Sequence, residues 1–287
     1  MNFWDLFFSL EVLLCLFGFC SQIAFIKIVA FRTGISIYGR INLFFLSLGY
    51  ITIMLSFLMF SSMCLINFGT YLEVLECDDA KQTFLWIHRF SEFHVVGFHS
   101  MINNDRRIFL LKPGLGSLNH RKYISPVLIF LNVIFSGIYA TAVGDPSTRV
   151  FANITIFFIN NLNMIFEVKL YRLSMRVFTQ TRGTISLAQR YEVTLSFKMI
   201  KCFLPAMTTS LILKTLTFGM YLAHTFPSVY ENIDVPKFYL VLNTLWNIDC
   251  SMFPWFFIVQ LSAKRVKENI QRQSQIEYFQ SLKNAWM

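Results

Sequence analysis

With 287 residues, 55% of them hydrophobic, 17% aromatic and only 14% charged, the chain lies far outside a soluble globular composition. Its 33 Phe residues exceed what one aqueous core holds, whereas lipid-facing helices accept them without cost. The net charge of +9 would suit nucleic acid if the basic residues formed one domain, but they alternate with long apolar runs, which excludes that partner and points to orientation in a bilayer.

A spanning helix needs about 20 mostly apolar residues, and seven runs reach that length. The first extends from Leu6 to Phe31. Nothing basic precedes it and Asp5 stands where a positive n-region belongs, so it reads as a retained helix rather than a secretory signal. Arg32-Thr33-Gly34 and Gly39-Arg40 bracket a turn, and the second run, Ile41 to Phe68, leads to an acidic stretch with Glu73, Glu76, Asp78 and Asp79.

The third run, Phe84 to Leu111, is the most unusual. It carries His88, Arg89, Glu92, His94 and His99 in its middle and ends in Asp105-Arg106-Arg107. Ionisable residues are rare in hydrocarbon and face a protein interior or a pathway. His88 and Glu92 are four apart and Arg89 and Glu92 three apart, so these pairs meet on one helix face. They either neutralise one another or line a ligand cavity.

Lys112-Pro113-Gly114 breaks the helix, since proline lacks the donor and glycine favours turns. The following loop carries His120-Arg121-Lys122. A fourth span, Ile124 to Val143, stops at Gly144-Asp145-Pro146-Ser147. A fifth, Phe151 to Phe178, holds Asn160, Asn161 and Asn163 and ends among Lys169, Arg172 and Arg176; its Asn153-Ile154-Thr155 is a formal glycosylation sequon lying at the helix start. After a polar loop, Thr179 to Val193, a sixth span runs from Thr194 to Ala223 and carries Lys214 well inside it. The seventh, Lys237 to Leu261, offers Asn243, Asn247 and Asp249, and Pro205 and Pro254 are expected kinks in the sixth and seventh.

The fold class is therefore an all-α membrane protein, a seven-transmembrane helix bundle over residues 1–261. A polar tail, 262–287, reads as an amphipathic helix on the inner leaflet or as a disordered segment. With the amino terminus outside, all of the 25 Lys and Arg residues except Lys81, Arg89, Arg149, Lys214 and Lys237 fall on inner flanks. The positive-inside rule then puts the carboxyl terminus in the cytosol. No repeat supports an inverted-repeat transporter.

Six cysteines lack metal spacing. His88, His94 and His99 step by six and five residues, which at 100° per residue turns them to different faces. No cofactor, metal or catalytic residue is expected, and the reading is not that of an enzyme.

Seven spans, an outside amino terminus and Asn104-Asp105-Arg106-Arg107 at the inner end of span three resemble a G-protein-coupled receptor. Within that architecture the chain resembles the nematode serpentine chemoreceptors of the Sra superfamily, class e above all. The resemblance rests on those four residues, on Ser186-Leu187-Ala188-Gln189-Arg190-Tyr191-Glu192 before span six and on Leu204-Pro205 within it. It implies a chemosensory receptor in a plasma membrane, as in sensory cilia, that binds a small environmental molecule and signals to a heterotrimeric G protein. Whether it acts as a dimer stays open. The chain departs from rhodopsin-like receptors in span seven, where Asn247-Ile248-Asp249 and Phe253-Pro254-Trp255 replace the asparagine-proline motif, and Cys77 lacks a loop partner between Asp145 and Val150.

On this reading the ligand meets His88, Glu92, Asn160, Lys214 and Asn243, while Asp105, Arg106 and Glu192 form a switch. Breaking an Arg106 pair with Asp105 or Glu192 would let span six move. Helical rise puts Lys214 and Glu92 at similar depth. A salt bridge between them is the structural expectation and a carboxylate ligand on Lys214 the functional one. A channel or transporter, and more remotely a membrane-embedded hydrolase, are the alternative functions.

Overall fold

The structure is a computed structural model that describes residues 3–30, 37–68, 78–111, 118–180, 187–224, 238, 241–242 and 244–259. The tail, Cys77, Asn243 and most of the acidic stretch after span two lie outside those residues, as does the side chain of Glu192. Among the described residues all secondary structure is helical: α1 Phe3–Ala30, α2 Ile37–Phe68, α3 Asp78–Leu111, α4 Leu118–Gly144, α5 Pro146–Gln180, α6 Leu187–His224 and α7, residues 244–259.

The helices outrun the apolar runs from which they were expected. A backbone that leaves hydrocarbon keeps its internal hydrogen bonds until a breaker or cap ends it. So α4 takes in His120-Arg121-Lys122 and α6 takes in Leu187 to Val193, helix where loops are expected, and His224 is the last residue of α6. Between α4 and α5 the stop is sharp. Asp145 Oδ1 accepts the Ser147 backbone N–H at 3.1 Å and Oδ2 the Ser147 hydroxyl at 2.6 Å, with Pro146 opening α5, an arrangement that caps its first turn. These hydrogen bonds hold the exposed Asp145 carboxyl below the usual aspartate range.

Four stretches, Ser9–Ile28, Tyr38–Met59, Ile124–Gly144 and Ser147–Gln180, are long and apolar enough to cross a membrane, and the chain is a helical membrane protein. The polar α3 is not among them, and its position explains why it need not be. It packs against α2, α4, α5 and α6, which screen it from lipid. Large apolar side chains are left outside: Phe130 and Phe135 on α4 and Phe151 and Phe158 on α5 are all more than half exposed, as lipid contact allows and water would not.

Contact order along the helices fixes their directions. Glu11 and Leu14 of α1 meet Asn247 and Ser251 of α7, so these two run parallel. Ser100 and Leu110 of α3 meet Asn163 and Leu170 of α5 in rising order, while Phe157 and Leu170 of α5 meet Phe218 and Ile200 of α6 in falling order. On α6 and α7, Lys214 and Phe203 meet Asp249 and Phe257, again antiparallel.

The largest core cluster joins five helices through Phe253. Its ring lies 6.2 Å from Phe25 of α1, 5.2 Å from Tyr50 of α2, 5.4 Å from His99 of α3 and 5.7 Å from Phe203 of α6. Offset and edge-on ring pairs of this kind each contribute about 0.5–1.5 kcal/mol. Polar side chains join the same helices by hydrogen bonds: Gln22 Nε2 donates to the Cys250 backbone carbonyl at 3.0 Å, and the Ser47 hydroxyl donates to the Gln22 side-chain oxygen. Close approach is required at Gly97, where a Cβ would run into the Asn132 carboxamide of α4.

Candidate functional site

The first half of α3 and the second half of α6, with the beginnings of α5 and α7 and the end of α4, line a cavity of about 170 Å³. Its walls hold His88, Arg89 and Glu92 from α3, Arg149, Asn153 and Asn160 from α5, and Lys214 from α6. Trp246 of α7 and the Phe157–Phe218 pair, stacked with centroids 4.2 Å apart, supply the apolar surface. Four of the residues nominated as ligand contacts, His88, Glu92, Asn160 and Lys214, thus share one cavity although they come from three helices. The fifth, Asn243, lies outside the described residues.

Lys214 is the centre of this site. It is buried, at 7% side-chain exposure, and its ammonium donates to Asn160 Oδ1 at 3.3 Å. Its ion-pair partner is Asp249 of α7, at 3.9 Å, rather than the Glu92 expected from depth alone. Asp249 Oδ2 also accepts the Ser210 hydroxyl at 2.9 Å, and the Trp246 ring lies 5.7 Å from the ammonium, inside the range of cation–π attraction. Glu92 accepts instead from the Tyr139 hydroxyl of α4, at 3.4 Å. Tyr139, Arg149, Trp246 and the pairing of Asp249 were missed in the sequence. Leu242, Trp246 and Asp249 are spaced four and three apart and so share a helix face, which is the signal that could have found Trp246 and Asp249.

The four asparagines of α5 divide by their partners. Asn163 joins helices: it accepts from Ser100 at 2.7 Å and donates to the Val96 carbonyl at 3.2 Å. Asn161 bonds back to Phe157 in its own helix. Asn153 and Asn160 reach the cavity. The Asn153 sequon is built into α5; its carboxamide donates to the Arg149 carbonyl at 3.0 Å and accepts from Tyr139 at 3.4 Å.

The histidines face three surroundings. His88 turns its edge to Trp246, 5.9 Å away. His94 takes the Asn132 carboxamide on its backbone carbonyl at 3.2 Å and stacks on Phe90. His99 is buried against Tyr50 and Phe253. Among the described residues no group of three His, Cys, Asp or Glu side chains could hold a metal ion.

At the other end of α3, Arg106 is buried and Asp105 half-buried. Glu167 of α5, a buried carboxyl group absent from the sequence expectations, lies within electrostatic reach of the guanidinium. The Arg106–Glu192 pairing falls on a side chain outside the described residues. Leu110, Leu170, Val193 and Ile200 pack together at this end, so α3, α5 and α6 meet below the cavity as well as around it. The chain matches no protein-family model, and no curated protein matches it in sequence.

Proposed function

We propose that the chain is a seven-span chemosensory receptor of the plasma membrane, similar to the class e nematode serpentine receptors. Its amino terminus is outside, its carboxyl terminus is in the cytosol, and it couples to a heterotrimeric G protein. The observation that carries this reading is the convergence of His88, Glu92, Asn160 and Lys214 on one cavity inside a helix bundle. Pockets between helices, largely apolar with a few convergent polar groups, are where small ligands bind. The cavity lies at the end of the bundle opposite Arg106, Arg107, Arg172 and Arg176, which is the end the positive-inside rule assigns to the outside.

The same arrangement supports signalling. Helices α3, α5 and α6 line the cavity and also meet around Arg106 and Glu167, so a ligand that repacks them at one end biases their packing at the other. A channel or transporter would use the cavity as part of a conduction path.

Epitope tags at both termini test the sidedness. An amino-terminal tag stained on intact cells and a carboxyl-terminal tag stained only after permeabilisation are expected, and any other pattern refutes the receptor reading. In cells expressing the protein, a panel of small volatile and water-soluble compounds should evoke a calcium response that Arg106→Ala abolishes at unchanged surface expression. Ligand-gated current persisting without G protein would establish the channel instead.

A further inference from the structure

We infer that the cleft between α3 and α5, at the end of the bundle away from the Lys214 cavity, holds one anionic phospholipid of the surrounding leaflet, its phosphate on Arg107 and Asn104 and an acyl chain along Leu162 and Phe166. The site goes beyond the proposed receptor reading and needs only a helix bundle in a bilayer. The cleft has a volume of about 230 Å³ and runs along α3 from Ser100 to Arg107 and along α5 from Ile159 to Leu170. Its back wall is polar but already engaged. Ser100 donates to Asn163 Oδ1 at 2.7 Å, Asn163 to the Val96 carbonyl at 3.2 Å and Asn103 to the Asn163 carbonyl at 3.4 Å. A ligand segment lying there can therefore be an apolar chain, because it strands no donor that the protein has not already used. Leu162 and Phe166 line the cleft and are also exposed on the outside of the bundle, so the cleft opens to lipid.

The side chains at the mouth differ from those at the back. Asn104 and Arg107 line the cleft and are exposed, and among the described residues no hydrogen bond or ion pair holds either of them. The planar fork of N–H donors on Arg107 suits a phosphate. At ~1.5 Å per residue, Asn104 lies ~4.5 Å and Ser100 ~10 Å further along α3 from the Arg107 end. The sequence along the cleft is cation, amide, apolar channel, which matches the phosphate, ester and acyl chain of a glycerophospholipid. An anionic head group is favoured because a terminal ammonium would meet like charge. Lys169, Arg172 and Arg176 are exposed on α5 at this end, and the segments joining α3 to α4 and α5 to α6, residues 112–117 and 181–186, contain Lys112 and Arg182 and no Asp or Glu. Cations near a bilayer surface draw anionic lipid. The cleft, at about 230 Å³, exceeds a cavity of about 150 Å³ known to hold benzene. It takes the glycerol region and the start of one chain while the rest of the lipid stays in the leaflet.

The test uses the purified full chain in detergent micelles, with phosphatidylglycerol, phosphatidylcholine, cholesterol or glycerol 3-phosphate added in turn. Melting temperature, titrated against each probe, is the readout. Phosphatidylglycerol is expected to stabilise the protein at a lower mole fraction than phosphatidylcholine. Arg107→Gln should weaken phosphatidylglycerol at least about tenfold, the effect of losing a charged hydrogen-bond donor. Arg176→Gln takes the same charge from the same end but outside the cleft, and should weaken it about fivefold at most. Leu162→Trp narrows the cleft from an exposed position, leaves every charge in place and should again weaken phosphatidylglycerol at least about tenfold; this loss keeps the test decisive should Arg107→Gln fail to fold.

Phosphatidylcholine binding as tightly as phosphatidylglycerol overturns the anionic head group and with it the inference. Cholesterol stabilising the protein in preference to both assigns the cleft to a sterol and overturns it equally. Glycerol 3-phosphate giving the full shift by itself makes the occupant a free phosphate and overturns the lipid. Equal losses from Arg107→Gln and Arg176→Gln, or phosphatidylglycerol binding that survives Leu162→Trp, show a general attraction to the cationic end and overturn the cleft as its site. Each of these results leaves the reading of the Lys214 cavity untouched.

Discussion

Replacing Asp249 by Ala removes the carboxylate that faces Lys214 and leaves a buried ammonium with only Asn160 and the Trp246 ring beside it. At 3.9 Å, two unit charges attract by about 4 kcal/mol at an effective dielectric of about 20. Ser210 loses its acceptor as well, which costs about 1 kcal/mol more. Against this stands the desolvation cost of Asp249, which the variant no longer carries, and the attraction of Trp246 for the cation, which it keeps. The net loss should therefore be about 3 kcal/mol, at the low end of what breaking a buried pair costs. Lys214→Met with Asp249→Ala should recover much of that loss, because neither charge is then stranded.

Thermal unfolding of the four proteins in detergent gives the double-mutant cycle. A coupling energy of about 2 kcal/mol is expected. Strictly additive single variants, or an Asp249→Ala protein within about 0.5 kcal/mol of the parent, would show that the pair is not what holds α6 to α7.

Four further outcomes follow from the packing and the caps. Phe253→Ala opens a void among α1, α2, α3, α6 and α7; lipid replaces water as the reference, so the cavity term of ~24 cal/mol per Å³ over roughly 100 Å³ dominates, and a loss of about 2 kcal/mol is expected in unfolding experiments. Gly97→Ala must displace the Asn132 carboxamide from the His94 carbonyl, lowering stability by about 1–3 kcal/mol in the same assay. Asp145→Ala should lower the melting temperature at neutral pH. Because the folded carboxyl titrates below its unfolded range, the cap contributes above that range and is lost as pH falls through it, so parent and variant should converge in acid. On the proposed receptor reading, Glu167→Ala removes the buried carboxyl group within electrostatic reach of Arg106 and should change agonist-independent signalling in a calcium assay while the surface tag count holds.

Much of the architecture was legible because hydrocarbon leaves a backbone few options: runs of about 20 apolar residues between charged or breaker segments can only be helices. The ends were less legible, since polar residues such as His120 and Gln189 continue a helix beyond the bilayer as readily as they end one. Four described site residues were legible from their rarity. An ionisable group such as Lys214 in a span must face protein, and facing protein around a shared internal space brings such groups together.

The choice of partners was not legible, because sequence position gives depth along a helix far more directly than direction around it. Glu92 and Lys214 do share a depth, and both reach the cavity. Which carboxylate pairs with the ammonium is settled by azimuth. Ser210 and Lys214 are four apart on one face of α6, and both turn to the α7 face that carries Trp246 and Asp249. Asn247, only two residues before Asp249, points about 200° away and donates to Glu11 of α1 instead. One helix therefore serves two neighbours with alternate polar residues, and the direction of each follows from its 100° step once a single contact is known. The hydroxyl of Ser251, four residues after Asn247, obeys the same rule by reaching the Leu14 carbonyl of α1.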